Sequence, residues 1–260
     1  MPRKKQPAPY PQPVQYVAGV GVFLFALSIY APSAPWTSVR IGLTRDLQRL
    51  VSLVAPPTGI TAALDVPFHK QEHALSCEIA SLRSALLAIG VDVPESILLD
   101  ALPFDATRKQ MEGKEIGTWG DPDKGFVGDI NGRMPTTGYG VHAPALATVA
   151  ELYAVPLRIR ADDAAALVRA IDARHPVIVW STLGTAPRSM TWKTPEGKQV
   201  RAAAYEHTLV VTGYRGSAER IEAIEVVDPQ TGLREESWET FTWRTGFLDH
   251  QALEIAPANF

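Results

Sequence analysis

The stretch from Cys77 to Gly90 carries the clearest periodicity in the chain. Ile79, Leu82, Leu86 and Ile89 recur at helical spacing, and Gly90 stands where a left-handed C-cap belongs. A shorter helix is predicted over PESILLDAL, and two more around Pro144–Tyr153 and Asp162–Arg174. Further on the period changes. PVIVWST, YEHTLVVTGY, RIEAIEVVD and ESWETFTW are rich in β-branched and aromatic residues and predict four strands. Upstream of the best helix, LDVPF (Leu64–Phe68) reads as a short strand or extended entry, followed by the polar turn HKQEHALS. Residues 103–141, rich in Gly, Asp, Pro and Thr, predict long surface loops, and the polar stretch Leu183–Ala203 an inserted hairpin or flap. Helices first and strands afterwards indicate an α+β fold, N-terminal helices packed on a C-terminal antiparallel sheet.

The N-terminal pattern is different. YVAGVGVFLFALSIYA, Tyr16 to Ala31, holds no charge, and no charged residue falls between Lys5 and Arg40. As a helix this run rises about 24 Å, or about 27 Å with Val14 and Gln15, against a hydrocarbon core of about 30 Å. With snorkelling flanks it serves as a signal anchor, and Arg3, Lys4 and Lys5 keep the N-terminus cytoplasmic and export the rest. A cleaved signal peptide has the same regions, although its one acceptable cleavage frame, Ala31-Pro32-Ser33, is crowded by prolines. An internal core helix is the third reading, and this run lacks the polar face one would need. The expected organisation is therefore a signal anchor or signal peptide over 1–35, a juxtamembrane helix and linker over 36–63, and the main domain over 64–260. The juxtamembrane helix carries Leu43, Leu47, Leu50 and Val54 among Arg40, Arg45 and Arg49, and Pro56-Pro57 stops it. The main domain is expected outside the cytoplasm, membrane-anchored or, after cleavage, secreted.

Composition narrows the chemistry. The 260 residues are 46% hydrophobic, too apolar for a disordered chain. With 25 basic and 28 acidic side chains the net charge is −3, which gives no footprint for nucleic acid. A single cysteine excludes an intrachain disulfide, a Cys-x-x-Cys pair and any zinc site built on several thiolates.

That cysteine, Cys77, opens the best helix, where the partial positive charge of the helix N-terminus favours thiolate over thiol. The bland alternative is a buried core cysteine; the polar turn before Cys77, and its position off the apolar stripe, favour a nucleophile. A nucleophilic thiol needs a base and a group to orient it. His207 opens the strand HTLVVTGY, and the next strand, IEAIEVVD, ends at Asp228. If Tyr214 and Ile221 pair across the short connection, His207 falls directly opposite Asp228. Gln71 lies six residues before Cys77, placed to donate to an oxyanion together with the free Cys77 N–H.

Q-x5-C opening a helix, H-T-L-V-V-T-G-Y and V-V-D-P resemble the papain-like cysteine peptidases of the bacteriocin-processing group, which cleave double-glycine leader peptides. LDVPF, GFVGD (Gly125–Asp129) and YGVHAPAL (Tyr139–Leu146) are similar to its stand-alone, exported relatives. The resemblance runs from about Leu64 to Asp228. It implies the papain-like fold, with Cys77 as nucleophile, His207 as base, Asp228 as orienter and Gln71 as oxyanion donor. It implies a peptide or protein substrate and no metal or organic cofactor, while the N-terminal run adds a membrane partner and the charge balance argues against nucleic acid. Many members have Cys-Gly where this chain has Cys77-Glu78, and a carboxylate beside the thiol raises its pKa. The other readings are an acyl transferase using the same residues and a non-catalytic peptide or cell-wall binding module.

Other motifs carry less. Gly138-x-Gly140-x-x-Ala143 lacks the βαβ setting of a dinucleotide fingerprint. Asp121, Asp123, Asp129 and Asn131 are out of register for an EF-hand and read as loop caps. Trp119, Trp192 and Trp243 line a cleft or pack, and His69 and His73 read as solvated turn residues.

Overall fold

The computed structural model describes residues 60–184 and 186–258, so the expected signal anchor and almost all of the juxtamembrane segment lie outside the described residues. The described residues belong to one compact unit, Gly59–Phe260. No helix among them is long and apolar enough to cross a membrane.

In chain order the elements are β1 (Ala62–Ala63), α1 (Cys77–Ala88), α2 (Glu95–Asp100), β2 (Phe104–Asp105), β3 (Gln110–Glu112), β4 (Glu115–Thr118) and β5 (Phe126–Val127). Then come α3 (Ala143–Ala150), β6 (Ala154–Arg160), α4 (Ala164–Asp172), β7 (Val177–Thr182), β8 (Arg188–Lys193) and β9 (Gln199–Ala204). The last are β10 (Glu206–Ser217), β11 (Arg220–Asp228), β12 (Gly232–Ser237), α5 (Trp238–Gly246) and β13 (Gln251–Pro257). The main sheet is antiparallel and runs β12-β11-β10-β7-β13-β6, with β1 paired to β10. β3, β4, β8 and β9 make a separate four-stranded sheet, and β2 and β5 a parallel pair.

Strand alternation gives the main sheet two buried faces. On one, Ile178, Trp180, Val210 and Val227 pack against Ile79, Leu82 and Leu86 of α1. On the other, Val179, Leu209, Val211 and Val226 pack against Leu167 and Ile171 of α4 and Phe241 of α5. α1 is buried nearly all round, as a helix wedged between a sheet and α2 and α3 must be. Its end is as expected: Ile89 caps it and Gly90 takes a positive φ of 84°.

Four expectations need correction. ESWETFTW is not a strand. Ser237 ends β12 and its hydroxyl accepts the Thr240 N–H at 3.2 Å, so the chain turns into α5 with Glu239 in the first turn and Arg244 in the last. LDVPF forms no strand; the strand upstream is the short β1. Residues 103–141 are not all loop, since β2 to β5 form there. The β10–β11 hairpin is also tighter than expected. It closes at Ser217↔Arg220, and two irregularities, after Val211 and after Arg215, offset each other, giving Val210↔Val227. That register continues to Asp228 opposite Leu209, two residues from where a Tyr214↔Ile221 pairing would put it. The flap at Leu183–Ala203 is the β8–β9 hairpin.

Candidate active site

A two-residue slip preserves parity, so His207 and Asp228 still share a face of the sheet. His207 Nε2 and Asp228 Oδ1 lie 2.9 Å apart, and both residues are buried. Asp228 also accepts the Gln230 N–H at 2.8 Å and has Arg234 Nε 3.4 Å from its other oxygen. Burial works against its charge. The His207 hydrogen bond and charge, the Gln230 N–H and Arg234 together overcome this and hold the carboxyl well below the usual carboxylate range. With Nε2 committed to Asp228, Nδ1 is the nitrogen left to act as base.

Cys77 is the first residue of α1, outside the helical ladder on its N–H side. Together with Gln71, Leu75, Tyr139, Tyr205, Glu206 and His207 it lines a cavity of about 140 Å³. The thiol donates to Glu78 Oε2 at 3.3 Å; among the described residues no hydrogen bond joins it to His207. Strand alternation explains this. Glu206 and Thr208 face α1, where Thr208 Oγ1 meets Ser81 Oγ at 3.1 Å, while His207 between them gives its Nε2 to Asp228. Burial, then the charges of Glu78 and Glu206, push the Cys77 thiol well up, against hydrogen bonds from Thr208. The helix N-terminus does not outweigh these.

Gln71 sits in the turn before α1, which is pinned from three sides. Gln71 N–H donates to Pro229 O at 3.0 Å, just past Asp228, and Leu75 N–H to Ile130 O at 2.9 Å. The buried Glu95 carboxylate accepts the Glu72 N–H at 3.2 Å and meets His69 Nε2 at 2.6 Å. His69 is thus a clamp residue and not merely solvated, and His73 meets Asn131 Oδ1 at 3.0 Å. The Gln71 amide gives its two hydrogens to His73 O at 2.8 Å and Ala74 O at 3.0 Å, while its Oε1 is buried and unpartnered.

Among the described residues two groups bring chelating atoms together, His69/Glu72/Glu95 and Cys77/Glu78/Glu206. In the first, Glu95 is already satisfied by the turn it holds. In the second, the Glu206 oxygens are buried and have no hydrogen-bond partner among the described residues. Asp121 and Asp123 pair with Lys198, and Trp119 packs tilted against Trp192, ring centroids 5.5 Å apart, in a small core, so both motifs are structural. Trp243 remains 48% exposed and packs its ring edge-on against Phe247.

Three residues at this cavity were not anticipated. Glu206 was signalled by a charge inside an otherwise apolar strand, directly before His207. Tyr139 is fully buried, its hydroxyl 3.2 Å from His142 Nε2. Tyr205 sits at the β9–β10 corner with φ 63° and is 62% exposed, a conformation non-glycine residues adopt at a cost.

The model of the Peptidase_C39 like family matches residues 63–250, the span that holds every residue of this site. The chain belongs to this family. YvpB, an uncharacterized protein of Bacillus subtilis (strain 168), is 32% identical over 165 residues, which cover 60% of this chain and 62% of YvpB. A protein of Bacillus anthracis solved as a C39-like peptidase aligns with a TM-score of 0.62 at 24% identity, over 76% of this chain and 98% of that one, and shows the shared fold. The peptidase domain of Streptococcus ComA, a bifunctional ABC transporter, aligns with a TM-score of 0.44 at 17% identity, over 76% and 99% of the two chains. The α+β fold expected from the sequence is thus the fold of the C39-like family, and the chain spans less than two thirds of the length of YvpB.

Proposed function

We propose that this chain is a cysteine peptidase that hydrolyses a peptide or amide bond through a thioester on Cys77. The observation that carries the reading is the His207–Asp228 hydrogen bond, 2.9 Å long, beside a cavity that Cys77, His207 and Gln71 all line. Asp228 fixes the imidazole with Nδ1 free. Rotation about the Cys77 side chain takes sulfur from Glu78 toward the cavity, where His207 accepts its proton. The thiolate attacks the substrate carbonyl, and the oxyanion takes hydrogen bonds from the Cys77 N–H and from Gln71 once one amide hydrogen leaves the turn. Collapse expels the amine with the proton from His207, and water activated by His207 frees the acid. Transfer of the acyl group to an amine in place of water would use the same residues. An exported location, anchored or secreted through residues 1–35, and the domain bounds 1–35, 36–63 and 64–260 belong to this proposal.

A second reading is favoured by one feature. The thiol is tied to Glu78 and not to His207, which suits a binding module that keeps the cleft without the chemistry. A peptide library incubated with the full chain and with Cys77→Ala separates the two. Hydrolysis by the native chain, lost in Cys77→Ala and lowered about 10²–10³-fold in Gln71→Ala, supports the peptidase. Equal capture of peptides by both, with no product and no acyl adduct on Cys77, refutes it.

A further inference from the structure

The Cys77 sulfur, a Glu78 carboxyl oxygen and a Glu206 carboxyl oxygen lie within 4.8 Å of one another, and all three residues are buried. Glu78 Oε1 accepts the Val141 N–H at 2.7 Å, and its other oxygen takes the thiol proton. Glu206 has neither: both of its oxygens are sealed from solvent and unpartnered. Space for the two carboxyls comes from Gly140, since a Cβ there would meet Glu78 Oε1 at 2.3 Å and Glu206 Oε2 at 2.9 Å.

The ionisable groups facing this cluster are few. α1 supplies Cys77 and Glu78, and β10 supplies Glu206 and His207, the latter bonded to Asp228 of β11. The segment before α3 supplies Tyr139, with His142 and then Asp123 behind it. Among the described residues no lysine or arginine pairs with Glu78 or Glu206, and Lys198, the nearest along that chain of contacts, is taken by Asp121 and Asp123. Two buried carboxylates this close, with no basic side chain paired to either, do not both stay ionised at neutral pH.

We propose that Glu78 and Glu206 are paired positioning residues for Cys77: one of the two carboxyls stays un-ionised, and the pair holds the resting thiol as S–H, turned away from His207. The inference rests on the peptidase reading of this site and adds to it a latent nucleophile, set by a carboxyl pair behind the thiol. Burial raises both carboxyls, Glu78 to about 7 against its hydrogen bonds from Val141 and Cys77, and the charge of Glu78 raises Glu206 further, which agrees with the geometry.

The test uses the full chain without substrate. The rate of Cys77 alkylation by iodoacetamide is followed against pH for the native protein, Glu206→Gln and Glu78→Gln, with circular dichroism reporting folding. Each substitution takes one carboxyl out of the pair, so that in the alkaline range where the thiol titrates at most one negative charge is left beside sulfur. The alkylation midpoint is therefore expected to fall by about one pH unit or more, and labelling at a fixed pH below the midpoint to speed up about tenfold. Infrared spectroscopy supplies an independent reading. The carbonyl stretch of an un-ionised carboxylic acid is expected at pH 7, retained in Cys77→Ser and weakened in Glu206→Gln. Midpoints unchanged in whichever variants fold, or no acid band at pH 7, overturn the proposal. Neither readout needs turnover, so absent hydrolysis counts against the peptidase reading alone.

Discussion

Replacing Gly140 with alanine tests whether the carboxyl pair is as tightly enclosed as its geometry implies. The residue holds φ at 147°, where side chains are strained, and its new Cβ would sit 2.3 Å from Glu78 Oε1. Backbone strain of this kind costs about 1–3 kcal/mol, and forced overpacking costs another 1–3 kcal/mol or so. Glu78 cannot swing away cheaply, because its oxygens bind the Val141 N–H and the Cys77 thiol. The expected loss for Gly140→Ala is about 2–6 kcal/mol, the sum of the two, read as a lower urea midpoint at unchanged slope. Combining it with Glu206→Ala removes one of the two obstructing carboxyls, so the double variant should lose less than the sum, with a coupling of about 0.5–3 kcal/mol. A single-variant loss under about 1 kcal/mol, or costs that add within the usual 0.3–0.5 kcal/mol or so, would refute the close approach of these three groups.

Two further outcomes follow from the same contacts. Asp228 is held below its unfolded pKa, so its contribution to stability is present above about pH 4 and is lost as pH falls through the folded value. Asp228→Asn should therefore be less stable than the native chain at pH 7, with the difference shrinking in acid; parallel pH–stability curves would contradict this. Glu95→Ala leaves the Glu72 N–H and His69 without their buried acceptor, which costs about 1–3 kcal/mol in urea titration. The same change should raise hydrogen exchange at residues 69–76, and unchanged exchange there would remove Glu95 from the turn's support.

The parts of this fold legible in the sequence were those with local causes. α1 is legible from its apolar spacing and Gly90, and β11 from Ile221, Ile224, Val226 and Val227 set among charged residues, with bounds, Arg220–Asp228, that match those expected. α5 was hidden because Trp, Phe and Thr favour strands, and one hydroxyl cap at Ser237 decided otherwise. β6 escaped notice because Pro156 sits within it, which only an edge strand tolerates. The His207–Asp228 contact was anticipated from a register wrong by two residues, since an even slip leaves the facing side chains unchanged.

The placement of β13 bears on when such a site can exist. Gln251–Pro257 fill a seam between β7 and β6, pairing Gln251 with Arg160 and Leu253 with Ile178. A chain made from its N-terminus onward contains Cys77, His207 and Asp228 well before it contains that strand. Until then β7, which supports the His207 strand, has an open edge in the middle of the sheet, the kind of edge that recruits wrong partners. The residues of the site are therefore synthesised early but assembled late, and closure of the sheet waits on its last strand in chain order.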